Sequence, residues 1–247
     1  LRQGGTLENI RMYNCSNHNA NNRAPYLFVS SDWNVDASSY GVAASTTIAR
    51  IKNVTLEKLG ASEALSNTGD SGPVTIRYAQ RVEIDGLKIL GHGRQVANEA
   101  PMVIMYQSSW VYFTRLTMDG IGRSMGFMTY GDMGPFGIDN SVFILRPGDA
   151  SQSSRGMINF FIGNSAPTGL EISTGMYITN SRFYNYTGGN FGAAWIQTYT
   201  TKLVMAGIIR GNIVHSPTPT TDTWLGLSDA TRNWTIADNY TTGFGTF

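Results

Sequence analysis

The sequence predicts an all-β parallel solenoid, and three observations carry that expectation. The first is a repeated unit: a short apolar-x-apolar run, a small or polar step, then a second such run. Val82-x-Ile84-Asp85-Gly86-Leu87-x-Ile89 returns as Val111-x-Phe113-Thr114-Arg115-Leu116-x-Met118 and as Phe136-x-Ile138-Asp139-Asn140-Ser141-x-Phe143. Apolar residues two apart on both sides of the step face one interior, as strand residues do. The second is the step itself, which falls at Asn9, Asn53, Gly86, Arg115, Asn140, Asn180, Gly207 and Asn239. Asn and Gly enter the left-handed backbone region most easily, so the step reads as a sharp corner; only Arg115 departs. The third is the spacing of those corners, 44, 33, 29, 25, 40, 27 and 32 residues. A variable period in the 20–50 range marks a constant strand–corner–strand unit with loops of different length spliced in. Each unit offers about three short strands and no helical period. A β-sandwich also alternates, but has no reason to repeat Asn or Gly in one column.

Taken in order, residues 1–24 hold the first corner (Leu7 to Met12) and then an Asn-rich loop, SNHNANNRA. Residues 25–31 are a strand, followed by an insertion over 32–47 with Asp32, Trp33, Asp36 and Tyr40. The second corner (Ile51 to Leu56) leads to a polar loop, GASEALSNTGDSG. Residues 74–145 carry three tight units separated by GHGRQVANEAP and GIGRS. After the loop RPGDASQSSR comes an apolar strand, Met157 to Ile162, and the unit at 170–188 ends in Phe183-Tyr184-Asn185-Tyr186. Residues 190–216 give another unit, SPTPTTDT reads as an irregular connection, and WLGLSDATRNWTIADNY closes the series. Asn53-Val-Thr and Asn233-Trp-Thr match glycosylation triplets, but an Asn corner followed by a β-branched residue writes the same three letters.

Composition bounds the partners. The 247 residues read as one solenoid domain spanning 1–247, roughly 40 Å long if eight coils stack at the ~4.8 Å strand spacing. Leu1 in mid-pattern and Phe247 just after a strand read as a piece of a longer chain. Charged residues are 14%, against about 25% in typical domains, and the net charge is +1. That gives no electrostatic case for nucleic acid or an anionic membrane, and no run is apolar enough for membrane insertion. A weakly charged surface rich in Tyr, Asn, Ser and Thr suits a glycan or another protein subunit. Cys15 is the single cysteine, which excludes an intrachain disulfide. No phosphate-binding glycine loop, His-Glu-x-x-His or Cys/His metal spacing occurs, so neither a cofactor nor a metal is expected. His18, His92 and His215 are read as loop residues far apart in coil order.

The recurring apolar-x-apolar-x-Asn/Gly-x-apolar unit resembles the right-handed, single-stranded parallel β-helix of the pectate-lyase-like superfamily, and within it the tailspikes and depolymerases of tailed phages. The resemblance spans nearly the whole chain, with about eight coils, and implies a parallel homotrimer and a place on the virion tail or outside the cell. Carbohydrate-cleaving members need two carboxylates flanking the bond, or a base with a group that neutralises a uronate. Counting back from the corners sets two columns on the preceding strand: Tyr78, Gln107, Asp132, Ile172, Tyr199 and Ala230, and beside it Arg77, Tyr106, Gly131, Glu171, Thr198 and Asp229. Asp132 and Glu171 are the candidate catalytic pair, about 5–10 Å apart if they lie on adjacent coils. Asp119 and Asp229 stand behind them. Arg77, Tyr78, Tyr106, Gln107 and Tyr199 are the candidate substrate-binding residues, because Tyr faces stack on sugar rings at little entropic cost. Trp110, Tyr130 and Trp195 fall on the same coils, with Tyr130 and Trp195 read as inward. Three functions follow: a phage receptor-binding protein that binds a bacterial surface polysaccharide, with or without cleaving it, a secreted pectate-lyase-type enzyme, or a non-catalytic adhesive or structural solenoid of a virion or surface fibre.

Overall fold

The computed structural model describes residues 1, 4–13, 27–30, 48–57, 74–77, 79–91, 103–106, 108–120, 127–130, 134–146, 157–162, 172–186, 195–200, 203–220, 223–227 and 231–244. Among them every regular element is a β-strand. The strands come in threes, two flanking a corner and one following. The first group is β1 (Thr6–Glu8), β2 (Arg11–Tyr13) and β3 (Leu27–Ser30), and the second β4 (Ala49–Lys52), β5 (Thr55–Glu57) and β6 (Val74–Arg77). The third is β7 (Gln80–Asp85), β8 (Lys88–Leu90) and β9 (Val103–Tyr106), and the fourth β10 (Ser109–Thr114), β11 (Thr117–Asp119) and β12 (Phe127–Tyr130). Then come β13 (Phe136–Asp139), β14 (Val142–Leu145) and β15 (Ile158–Ile162), followed by β16 (Ile172–Thr179), β17 (Arg182–Asn185) and β18 (Ile196–Thr200). The last are β19 (Leu203–Arg210), β20 (Ile213–Thr220) and β21 (Leu225–Gly226), with β22 (Thr231–Ala237) and β23 (Tyr240–Phe244) flanking the final corner.

The first strand of each group joins sheet I, in the order β1-β4-β7-β10-β13-β16-β19-β22. The second joins sheet II, β2-β5-β8-β11-β14-β17-β20-β23, and the third joins the seven-stranded sheet III, β3 through β21. Neighbours in each sheet come from successive groups and pair in parallel, as the solenoid reading requires.

The corner column explains the sequence period. Asn9, Asn53, Asn140 and Asn180 have φ of 57°, 49°, 48° and 51°, Arg115 has 55° and Gly86 74°. At each corner the hydrogen-bond ladder changes direction. The N–H of the corner residue itself donates to the next strand, as from Asn53 to the Asp85 carbonyl at 2.9 Å; just after the turn, N–H groups donate backward, as from Lys88 to the Val54 carbonyl at 2.8 Å. The last two corners differ from expectation. The seventh is Gly211 (φ 67°) and the eighth Asp238 (φ 55°), not Gly207 and Asn239. Gly207 instead sits within β19 under the ring of Trp234, where a Cβ would overlap that ring. Asn239 follows the corner and supplies an inward amide. SPTPTTDT is likewise not a loop throughout, since β20 runs to Thr220 and its pairing slips only between His215 and Thr220, where Pro217 and Pro219 withhold donors. His215 lies in that strand.

A polar ladder runs behind the later corners. The backbone N–H of Leu116 donates to Ser141 Oγ (3.1 Å), that of Ser141 to Ser181 Oγ (3.1 Å), that of Ser181 to Asn212 Oδ1 (2.9 Å), and that of Asn212 to Asn239 Oδ1 (3.0 Å). Each side chain therefore satisfies an N–H that the turning backbone leaves without a carbonyl. The remaining inward positions are apolar. Ile51, Ile84, Phe113, Ile138, Ile178 and Ile209 form one register line in sheet I, and Leu56, Ile89, Met118, Phe143, Phe183 and Val214 one in sheet II. Both lines are fully buried. Phe143 and Phe183 stack at 4.8 Å, and Phe127 of sheet III meets Phe113 of sheet I edge-on at 5.2 Å, so the sheets share one core. Trp195 is buried in it, as read from the sequence.

Two substitutions test this account. Asn140→Val is expected to cost about 1–2 kcal/mol in chemical denaturation, because a β-branched residue resists positive φ, whereas Asn140→Gly should be nearly neutral. Ser181→Ala should cost about 1–3 kcal/mol by leaving the buried Ser141 N–H without an acceptor. A loss confined to Asn140→Val would show that the inner ladder is dispensable.

Candidate functional site

Sheet III carries the sequence-predicted residues that the structure describes. Arg77 pairs with Tyr106, Tyr106 with Tyr130, Tyr130 with Phe161, and Phe161 with Tyr199. Five consecutive strands thus place Arg77 and four aromatic residues at one register position. This line lies one residue beyond the inward line of Ile76, Met105, Thr129 and Thr198, all buried. Arg77 is half-buried.

The column assignments need correction at three points. Tyr106 is matched by Tyr130 rather than Gly131, and Tyr199 belongs with Arg77 and Tyr106 rather than with Tyr78 and Gln107. Ile172 is not in sheet III at all; it opens β16 and pairs with Leu203 in sheet I. Counting back from the corner fails because the link from the third strand to the next first strand varies in length: two residues precede each of β7 and β10, but residues 163–171 separate β15 from β16. Tyr78, Gln107, Asp132, Glu171 and Asp229 lie outside the described residues. Asp119 is held by Arg146 through two hydrogen bonds of 2.6 Å on the outer face of sheet II.

The outer face of sheet I brings together residues that the sequence reading passed over. Tyr112 and Tyr177 lie on either side of Gly137 in one register line. A Cβ on Gly137 would overlap the Tyr177 ring, so the missing side chain is what lets that ring lie flat across the strand and stack on Tyr112 at 5.9 Å and 19°. Burial, with smaller contributions from Tyr112 and Asp139, pushes the Tyr177 phenol above its ordinary pKa, so it stays neutral at physiological pH. Two residues further along, Asp139 Oδ1 accepts from Thr179 Oγ1 (2.6 Å) and from Asn180 Nδ2 (2.9 Å). Arg210 Nε donates to Asp238 Oδ2 at 2.8 Å. Thr179, Asn180, Arg210, Gly211 and Asp238 line a shallow trough of about 500 Å³. Such a face stacks apolar ring surfaces and exchanges hydrogen bonds with hydroxyls. The readable signal for it was the glycine at 137 between two tyrosines at equivalent positions.

Sheet II holds Tyr184 stacked on Tyr186 at 5.7 Å, and His215 Nδ1 lies 2.6 Å from Thr242 Oγ1. No described group bonds the other nitrogen of His215. Among the described residues no group of three His, Cys, Asp or Glu is poised to hold a metal ion.

The Asp85–Arg115 pair crosses Gly86 through bonds of 2.7 and 2.8 Å. The Arg115 hydrogen bonds, helped by the Arg115 and Lys52 charges and opposed by slight burial, hold the Asp85 carboxyl below its ordinary pKa. A lowered folded-state pKa contributes stability above the unfolded value, near pH 4, and loses it as pH falls through the folded value. Thermal melts from about pH 5 down to 2 should therefore show a shallower acid decline in Asp85→Asn than in wild type. High salt should narrow the difference, since both side chains are half-exposed. Parallel declines at low salt would remove this pair from the stability balance.

No protein-family model, no curated protein and no solved structure matches this chain.

Proposed function

We propose that this protein is a right-handed parallel β-helix of about eight coils that recognises a bacterial surface polysaccharide, in the manner of the tailspikes it resembles, as part of a virion tail or an extracellular surface. The observation that supports this reading best is the register line of Arg77, Tyr106, Tyr130, Phe161 and Tyr199 across five adjacent strands. Aromatic residues repeated at the ~4.8 Å strand interval offer successive stacking platforms to a chain of sugar rings running along the rod. Arg77, half-buried at one end of the line, adds a cationic side chain to it. A net charge of +1 on 247 residues fits a partner held by stacking and hydrogen bonds more than by charge. In this reading Tyr78 and Gln107 extend the same surface, and Asp132 and Glu171 are the pair that would cleave the glycan, one as acid and the other as base or nucleophile.

Glycan-array binding and reducing-end release on wild type and two variants test the proposal. Tyr106→Ala should weaken binding by about 1–3 kcal/mol, the cost of a lost interface anchor. For a cleaving protein, Asp132→Asn should lower turnover by at least about a hundredfold with binding nearly intact; unchanged behaviour on Asp132→Asn together with impaired binding on Tyr106→Ala would mark an adhesive solenoid without catalysis. Binding untouched by either change would move the glycan surface off sheet III.

The reading includes a parallel homotrimer with long axes side by side. Light scattering on the full-length protein should give three times the chain mass. A stable monomer would favour the secreted-enzyme alternative.

A further inference from the structure

The corner column carries a side chain at each described position except Gly86 and Gly211. These two gaps are closed differently. At Gly86 the next corner residue, Arg115, reaches back across the gap and grips Asp85 with two bonds. At Gly211 the charges are reversed, and the closure is partial: Arg210 bonds Asp238 through Nε alone, and its two terminal nitrogens make no hydrogen bond among the described residues. The result is the trough of about 500 Å³ beside Gly211, within the size range of small-ligand sites.

The polar groups around that gap have fixed roles. Asn180 Nδ2 is committed to Asp139 on the preceding strand, which turns Asn180 Oδ1 toward Gly211, where a Cβ would stand only 2.8 Å from it. The floor of the gap is therefore a hydrogen-bond acceptor. Asp238 has a second carboxylate oxygen with no described partner, and Arg210 keeps its forked donors. Acceptors beside a guanidinium match adjacent sugar hydroxyls, each of which both donates and accepts. Charge argues in the same direction. Arg210 and Asp238 cancel, and Asp139 adds a negative charge behind them, so an anionic ligand gains nothing here. The Arg210 guanidinium likewise disfavours a divalent cation. Two residues before Thr179, the Tyr177 ring lies flat on the same outer face, a stacking platform for a neighbouring ring.

We propose that the Gly211 gap is a second saccharide site, on the sheet I–sheet II corner, that takes an uncharged hexopyranose residue. It does not depend on the sheet III reading.

Saturation-transfer NMR on the full chain tests it, with methyl α-glucopyranoside, methyl α-mannopyranoside and methyl β-galactopyranoside as neutral probes and glucuronic acid as the charged one. At least one neutral glycoside should receive saturation from wild type, with glucuronic acid about fivefold weaker or less. Gly211→Asn restores the Asn column, tolerates the positive φ, and fills the gap; it should lose the signal by about tenfold or more. Arg210→Ala should do the same and carries the test if Gly211→Asn does not fold. Tyr106→Ala should leave the signal unchanged. The proposal is overturned if no neutral glycoside binds wild type, if glucuronic acid binds as well as the neutral probes, or if folded Gly211→Asn or Arg210→Ala binds normally. Loss of signal in Tyr106→Ala but in neither corner variant would assign the sugar to sheet III and overturn it equally.

Discussion

The reversal of the hydrogen-bond ladder at a left-handed corner is the constraint on which the rest of this fold depends. A parallel strand that continued straight would leave its sheet after three or four residues. A single residue at φ near 50° turns the chain from sheet I into sheet II while both flanking strands keep their neighbours. For an L-residue that conformation costs of order 1 kcal/mol, and Asn and Gly feel it least. Repeated over eight corners, the preference is strong enough to be written in the sequence. Once the corners are stacked, the inward positions of both sheets fall into lines, and the burial of those lines supplies the driving force that the low charge cannot.

The residue after the corner shows how one backbone need can be met in two ways. In the first four groups it is apolar, Ile10, Val54, Leu87 and Leu116, and in the last four polar, Ser141, Ser181, Asn212 and Asn239. The polar half satisfies its turning N–H groups from side chains. The Ser and Asn side chains also donate to carbonyls of their own or the preceding strand, as Ser181 Oγ does to the Thr179 carbonyl at 2.8 Å and Asn212 Nδ2 to the Ile178 carbonyl at 2.9 Å. A fully satisfied buried network is specific to its register, because a one-residue slip leaves every member unpaired.

This inner ladder also explains what could and could not be read from sequence alone. Six corners were legible because the left-handed column selects Asn or Gly, and even Arg115 was found by the apolar frame around it. The last two were misplaced for definite reasons. At Asp238-Asn239 both residues tolerate positive φ, and only the demand of the Asn212 N–H for an inward amide decides that Asp238 makes the turn. At Gly207 the glycine answers to a core ring rather than to the backbone. A second left-handed column, with Arg81, Trp110, Gly175, Ala206 and Asn233 at φ of 54° to 69°, bends the strands of sheet I. It left no trace in the sequence because neighbouring ladders impose that conformation on whatever residue is present. The sheet III line of Arg77 and Tyr106 was legible where links are short. It was lost wherever a loop of variable length breaks the count, which is why Tyr130 and Phe161 went unassigned to it.

Side-chain absence then becomes the economical way for such a stack of strands to vary its surface. Among the described residues the corner backbone repeats closely, so a column that skips a side chain opens a recess there. Four glycines do this: beside Gly86 the Arg115 side chain reaches across to Asp85, and the other three differ in what enters the space. Over Gly207 the ring of Trp234 fills the space from inside, and over Gly137 the ring of Tyr177 fills it from outside. At Gly211 nothing of comparable size enters, and the space stays open between an amide oxygen and an ion pair. A stack of parallel strands turned at repeated corners places ligands differently from a barrel mouth or an interdomain cleft. It has flat faces, which suit long polymers lying across many strands, and single-residue gaps, which suit one ring at a time. Among the described residues, the aromatic register line of sheet III and the polar gap at the sheet I–sheet II corner correspond to these two kinds.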